Sequence, residues 1–501
     1  MPRPGFVLET DDKTPPILTI GGDRIRAQRF GLGTKIVYPA EGEPSTDPAQ
    51  LIGASLDAPL SGEPLVQRLS GCRSLTIVFG DNASLRPQPR FDVRRDIIER
   101  LLELAARNGI DDVALVCATG LNRQMTPSEF VQLVGERVVS SFLPDGLLRN
   151  HDVTDRAGFV TIGTVEGHEL RINRRVAESD LVVHVALRAD DRFGSLRQLV
   201  CGVTDLDTID FVAGLDGLGH PDRAARVASA ISDAVPIITI EAVLGTPVYE
   251  PPLGFINRRE WEWRVSDQLA YVGIRQLLSR APKHAASRLL GGLRADYSVL
   301  DVIVGDPGEA DRQGRQVWRT GNAAHLPEPA DVAVVSVWGI GHGASDVTGS
   351  PLAASHHALV CTGVTAADGP LVREGGVLVA FHPLANRFSN RHQSAAADFF
   401  AEVLPETLDP QQVRSDYQER YVNDAWYLQL YRTQHAFHPL AVFHQWYASA
   451  AAERHLGDVI WVGADRRSAA VLGHRAASSY ADALEIASNR VGRQPGIVVL
   501  R

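Results

Sequence analysis

Lysine is nearly missing from this chain. Among 501 residues only Lys13, Lys35 and Lys283 carry a side-chain amine, and arginine supplies the other 47 basic residues. Schiff-base and amine-nucleophile mechanisms therefore have almost no candidates, because a guanidinium stays protonated and does not attack carbon near neutral pH. Cysteine is also scarce. Cys72, Cys117, Cys201 and Cys361 are far apart and form no Cys-x-x-Cys pair, which argues against a disulfide framework or a zinc knuckle and for buried free thiols. No window approaches 18 uninterrupted apolar residues, and Met1-Pro2-Arg3-Pro4-Gly5 opens no apolar leader. The expectation is a cytoplasmic protein without a membrane span. Basic excess is absent too: the net charge of −10 leans away from a nucleic-acid partner, which favours a basic face.

What is present is a long alternation of apolar strands and amphipathic helices. Residues 75–79 form an apolar run followed by a helical pattern over 91–106, with Ile97, Leu101, Leu104 and Ala105 at i, i+4, i+7 and i+8 and Asn108-Gly109 as its stop. Residues 113–117 repeat the strand pattern, and Thr126-Pro127-Ser128-Glu129 then opens a helix with a capping box and proline at its first position. Further strand candidates are 181–187, 237–243, 332–338, 377–381, 459–462 and 497–500. Such alternation predicts an α/β protein with parallel-rich sheets. A single core stops growing near about 250–300 residues, so two α/β domains are expected, 1–285 and 286–501. The Arg- and Gly-rich stretch 279–297 is the candidate junction; it also reads as a helix and a loop inside one domain.

Two strand-end loops carry the clearest chemistry. Gly80-Asp81-Asn82-Ala83-Ser84-Leu85-Arg86-Pro87 follows the first strand, and Ala118-Thr119-Gly120-Leu121-Asn122-Arg123 follows the second. Polar, Gly-containing tips at successive strand ends suggest one shared cleft. An arginine fork pairs with carboxylate or phosphate, and Asp81 is placed to orient Arg86 or to bind a hydroxyl. The competing reading is an ion pair that only fixes the loop.

The order of these segments resembles the lactate racemase family, nickel-pincer-nucleotide-dependent 2-hydroxyacid racemases and epimerases. Asp81 and Arg86-Pro87 match the family's Asp-x-Thr-Arg-Pro loop with two extra residues. Ala118-Thr119-Gly120-Leu121-Asn122-Arg123 matches Ala-Thr-Gly-x-His-Arg except that Asn122 replaces histidine. Ile162-Gly163, the segment from Ile172-Asn173-Arg174 to Asp180-Leu181, the stretch from Gly363-Val364-Thr365 to Glu374-Gly375-Gly376, and Gln445-Trp446 follow in the family's order. The resemblance implies a cleft between two α/β domains, an isomerase acting on a small 2-hydroxy acid or sugar acid, and a nickel-pincer nucleotide. It places Asp81, Arg86, Arg197 and Trp446 beside that cofactor. Arg197, in Gly194-Ser195-Leu196-Arg197, stands where the family's attachment lysine belongs, so the cofactor would be held non-covalently. Thr362 stands where the family carries a substrate-binding lysine. The metal ligands are not identified.

A racemase relay needs a titratable group on each face of a planar intermediate, and histidine suits it. Asn122 can hydrogen-bond a hydroxyl but cannot take its proton; it reads as a substrate contact or a loop cap. His184, inside the strand at 181–187, is a site candidate or a satisfied core histidine. His342, in Trp338-Gly339-Ile340-Gly341-His342-Gly343, follows a strand in a turn able to cradle an anion. His382 closes another strand, and the adjacent His356-His357 diverge and chelate poorly. Arg192 and Arg197 face an acidic ligand or solvent. Trp446 is a pocket wall or a packing residue. Three functions stay open: a racemase or epimerase, a nickel-independent lyase or hydrolase on the same scaffold, and a non-catalytic carboxylate- or nucleotide-binding relative. The expected partner is a small anion, with homo-oligomerisation open.

Overall fold

The computed structural model describes residues 3–81, 85, 87–191, 194–216, 221–282, 285–286, 289–290, 292–323, 326, 328–338, 349–363, 365–366 and 369–501. The N-terminal segment supplies four short strands: β1 (Phe6–Glu9), β2 (Ile17–Gly21), β3 (Arg24–Gln28) and β4 (Lys35–Tyr38). Next come β5 (Ser74–Gly80), β6 (Gln88–Pro89), β7 (Asp112–Ala118), β8 (Leu148–Asn150), β9 (Phe159–Val165), β10 (His168–Asn173), β11 (Leu181–Arg188), β12 (Ile237–Val248) and β13 (Arg294–Gly305). The remainder adds β14 (Ala330–Ser336), the short ribbon β15 (Thr365–Ala366) and β16 (Gly369–Pro370), then β17 (Val372–Phe381), β18 (Asp458–Val462), β19 (Arg475–Ala477) and β20 (Ile497–Leu500).

Two seven-stranded sheets organise the molecule, in the orders β6-β13-β12-β11-β5-β7-β8 and β1-β4-β20-β14-β17-β18-β19. From β8 to β12 the first sheet is parallel, and β13 runs antiparallel to β12. The second is parallel from β4 to β19. The fold is thus α/β with parallel-rich sheets, as the strand–helix alternation predicts.

Period-two burial explains the layers. On one face of the first sheet Leu75, Ile77 and Phe79 pack with Ile97, Ile98 and Leu101 of the helix Val93–Arg107. On the other, Val78, Val116 and Val182 meet Leu199 and Val200 of the helix Ser195–Val203 and Val227 and Ile231 of Pro221–Ala234. Because strand sides are buried on both faces, the strands read as continuous apolar runs. The second sheet packs Ala333, Val335 and Leu378 against the helix Leu440–Glu453, and Val332, Val377 and Val379 against Tyr480–Val491.

The sequence pattern underestimates three features. β1 and β4 join the second sheet, with Ile36 opposite Val499 in the parallel pair. β13 has a mixed burial pattern, so no apolar run announces it. The helix that carries Trp446 runs from Leu440 to Glu453, and the proline before it suits a helix start.

Candidate active site

In the first sheet the strand order reverses at β5: β7 lies on one side of it and β11 on the other. Their helices leave on opposite faces, so a crevice opens at the carboxyl ends of β5 and β11, where open α/β sheets bind ligands. Asp81 follows β5 directly and is buried. The buried Arg94 donates to the carbonyls of Gly80 and Asp81 and pairs with Asp92, which fixes this strand end. Asn122 Nδ2 donates to Asp81 Oδ2 at 3.0 Å, so the two sequence-selected loops do meet. Gly120 adopts φ +54° at that turn, and a Cβ there would strike the Cys201 carbonyl at 2.6 Å; the close approach demands glycine.

The helix Ser195–Val203 borders the crevice. Gln198 donates to the Leu187 carbonyl at 2.7 Å and reaches Gly80, bridging the two strand ends at the reversal point. Arg197, next to it, is partly buried. Its charge opposes protonation of His444 and favours the Cys201 thiolate, although burial holds that thiol above its ordinary value.

His444 comes from the opposite half of the molecule. The helix Leu440–Glu453 buries Val442, Phe443 and Trp446 in the second core and presents His444 to Asp210 of the helix Leu206–Ala213, with Nε2 2.9 Å from Oδ1. Asp210 also accepts from Arg414 at 2.5 Å and from Gln418 at 3.2 Å. Around the pair, Leu121 and Leu206 pack with Val153, Ile209 and Tyr431, and the His438 amide donates to the Leu121 carbonyl at 3.1 Å. The Asn122 loop is thereby attached to the same seam.

Electrostatics set the protonation state. Burial pushes the Asp210 carboxyl up, but His444 and Arg414 outweigh it and hold it below its ordinary value. Burial holds the His444 imidazole below its ordinary value despite Asp210. Near pH 7 the pair is carboxylate plus neutral imidazole. A carboxylate only accepts, so the ring proton belongs on Nε2 and the basic lone pair on Nδ1. No hydrogen bond occupies Nδ1 among the described residues.

The other sequence candidates fall elsewhere. His184 is fully buried mid-strand, with Nδ1 3.3 Å from Thr239 Oγ1, and burial depresses its pKa to about 3. Trp446 is 3 % exposed beside Phe399, inside the second core. His382 is buried at the end of β17, and His356 and His357 are consecutive helical residues. Arg86, Arg192 and His342 lie outside the described residues. Sequence reasoning passed over His444 and Asp210; the available signal was His444 directly preceding Gln445-Trp446.

Residues 31–187 match the lactate racemase N-terminal domain. The likeness to lactate racemase rests on this stretch of the sequence. The structure of the lactate racemase apoprotein from Thermoanaerobacterium thermosaccharolyticum is similar over 97 % of both chains, with a TM-score of 0.62 and 16 % identity, which establishes a common fold. A crystal structure of a Thermotoga maritima protein covers 87 % of this chain and 93 % of its own, with a TM-score of 0.47 and 15 % identity. No curated protein matches.

The residues at the seam do not fit a covalently attached pincer cofactor. Arg197 carries a guanidinium and not the amine that covalent attachment needs, and the Asn122 amide is engaged by Asp81. Among the described residues no three His, Cys, Asp or Glu side chains converge as metal ligands, and no helix is long and apolar enough to cross a membrane.

Proposed function

We propose that this chain is a racemase or epimerase of the lactate racemase type, acting on a small 2-hydroxy acid or sugar acid at the seam, with His444 as its base. The Asp210–His444 pair carries this reading. It supplies a neutral imidazole, oriented by a carboxylate, beside the strand-reversal crevice, which is what a general base near pH 7 requires. Arg197 pairs with the substrate carboxylate. Asn122, whose amide nitrogen is committed to Asp81, keeps its carbonyl oxygen to accept from the substrate hydroxyl. His444 Nδ1 then takes the C2 proton, the electron pair passing into the carboxylate held by Arg197 as an enediolate, and reprotonation at C2 by solvent from the opposite face completes the inversion. No step is assigned to a nickel cofactor, whose covalent attachment these residues do not support. The partner is a small organic anion rather than nucleic acid or a membrane.

One observation favours a second reading. Stereochemical inversion by a two-sided relay wants a base on each face of the intermediate, whereas the seam offers a single imidazole–carboxylate pair. One base suffices for loss of water from a hydroxy acid, the lyase reading on the same scaffold. Both are tested by incubating the chelated protein, made with and without pincer-cofactor biosynthesis, with 2-hydroxy acids and sugar acids in deuterated water. Inversion or deuterium at C2, lost in His444→Asn, supports the isomerase. A dehydrated product identifies a lyase. Saturable binding without turnover in any preparation overturns both in favour of a binding protein.

A further inference from the structure

A second polar site lies at the carboxyl edge of the other sheet, independent of the seam. The hairpin β2–β3 covers the ends of β17 and β18, leaving a shallow recess lined by Gly463, Thr19, Phe381 and His382. Arg24 and Arg26 alternate along β3 and point to the same side, with Ile25 buried between them. Their tips converge. A Cβ on Gly463 would lie 3.6 Å from Arg24 Nη1 and 3.7 Å from Arg26 Nη2.

Nothing described offsets this convergence fully. Arg26 has no ion-pair partner among the described residues. Arg24 has only Asp23, at 4.0 Å, and Asp23 is shared with Arg387 at 3.8 Å. Arg24 and Arg387 thus share one carboxylate. Burial and the neighbouring Arg24 together hold the Arg26 guanidinium below its ordinary value, the direction expected when no anion is nearby. Gly463 has φ +78°, so its conformation and its missing side chain both keep the floor open.

We propose that this recess binds a small doubly charged oxyanion of the phosphate class between the Arg24 and Arg26 guanidiniums. Two planar forks match a tetrahedral dianion in geometry and charge, each fork donating two N–H bonds. The recess opens to solvent, so the anion is either free phosphate or the phosphate group of a larger ligand.

Calorimetric titration of the full chain with inorganic phosphate at low chloride tests this. The expected result is one saturable site, at least tenfold weaker in Arg26→Gln and lost in the Arg24→Gln/Arg26→Gln double variant, with Arg26→Lys in between. Wild-type protein supplies a check that does not depend on variants folding. Phosphate should protect Arg24 and Arg26 from phenylglyoxal, read by mass spectrometry, while exposed arginines elsewhere react as before. Tighter binding of glycerol 3-phosphate than of phosphate identifies a phosphorylated ligand; equal binding identifies the free anion. Unchanged affinity in the double variant, an equal response to chloride, or unprotected Arg24 and Arg26 overturns the site.

Discussion

The helix Ser195–Val203 separates two charged clusters that differ in what they leave open. At its N-terminus Arg188 and Glu241 are wholly buried, with Arg188 Nε 2.5 Å from Glu241 Oε1, Arg188 Nη2 2.7 Å from Asp311 Oδ1, and Ser195 Oγ 2.5 Å from Glu241 Oε2. Gly194 makes room, since a Cβ there would meet Asp311 Oδ1 at 2.0 Å. Two residues after Ser195, Arg197 lies near enough to His444 for its charge to oppose protonation of the imidazole. Burial raises the Glu241 pKa to about 7, a shift that alone would nominate it for catalysis. Yet both of its oxygens are spent on Arg188 and Ser195, whereas His444 keeps Nδ1 unoccupied. The comparison separates a perturbed group from an available one: the first holds the helix in place, the second keeps a ring nitrogen without a hydrogen bond among the described residues.

Breaking the seam cluster should produce the largest effect. His444→Asn keeps the shape and removes the base, so turnover should fall by about 10²–10⁴-fold, read as kcat on whichever hydroxy acid the deuterium screen identifies. The urea midpoint should barely move. Breaking the sealed cluster should give the reverse pattern. Arg188→Met leaves the buried Glu241 carboxylate without its cation and Asp311 with Arg315 alone, and should cost about 3–5 kcal/mol of stability, measured by urea unfolding, while activity per folded molecule is retained. A full-length activity loss in Arg188→Met at unchanged stability would erase the distinction.

Much of the fold is legible in the sequence because the parallel strands are buried on both faces. The run at 497–500 coincides with β20, and 181–187 falls within β11. The Thr126 capping box forms as read. β1, β4 and β13 are less legible: β1 and β13 are only partly buried, and the short β4 owes its place in the sheet to β20 at the far end of the chain. The Asp81–Asn122 contact follows from successive strand-end loops. The Asp210–His444 pair does not, because it joins two helices of 8 and 14 residues from different halves of the chain, and no local pattern encodes that meeting. His184 shows the converse error available to a reader of sequence, since a histidine in an apolar strand looks chemical yet is sealed from any ligand.

That contrast can be sharpened by pH. His184 is held neutral, with its pKa depressed to about 3 by burial, against about 6.5 in an unfolded chain. The unfolded state therefore binds the proton first, and stability is full above pH 6.5 and falls as pH drops toward the folded value. At pH 4.5 His184 alone should cost about 3 kcal/mol. His184→Leu should remove that slope in urea unfolding from pH 7 to 4.5 while leaving turnover at pH 7 unchanged. A turnover loss would move His184 into the site.

The smallest effect tests orientation rather than presence of the base. Asp210→Asn retains a hydrogen-bonding partner for His444 but removes the charge that raises the imidazole pKa and fixes its tautomer. An amide can present either its oxygen or its nitrogen to Nε2, so part of the population would carry the ring proton on Nδ1, where it blocks the reaction. Turnover should fall less than in His444→Asn, on the order of tenfold. The acid limb of the kcat profile should move to lower pH, because an imidazole without its carboxylate neighbour is harder to protonate. A purely structural Asp210 would lower stability and leave that limb where it was, so the direction of the limb, more than the size of the loss, decides whether the pair works as a unit.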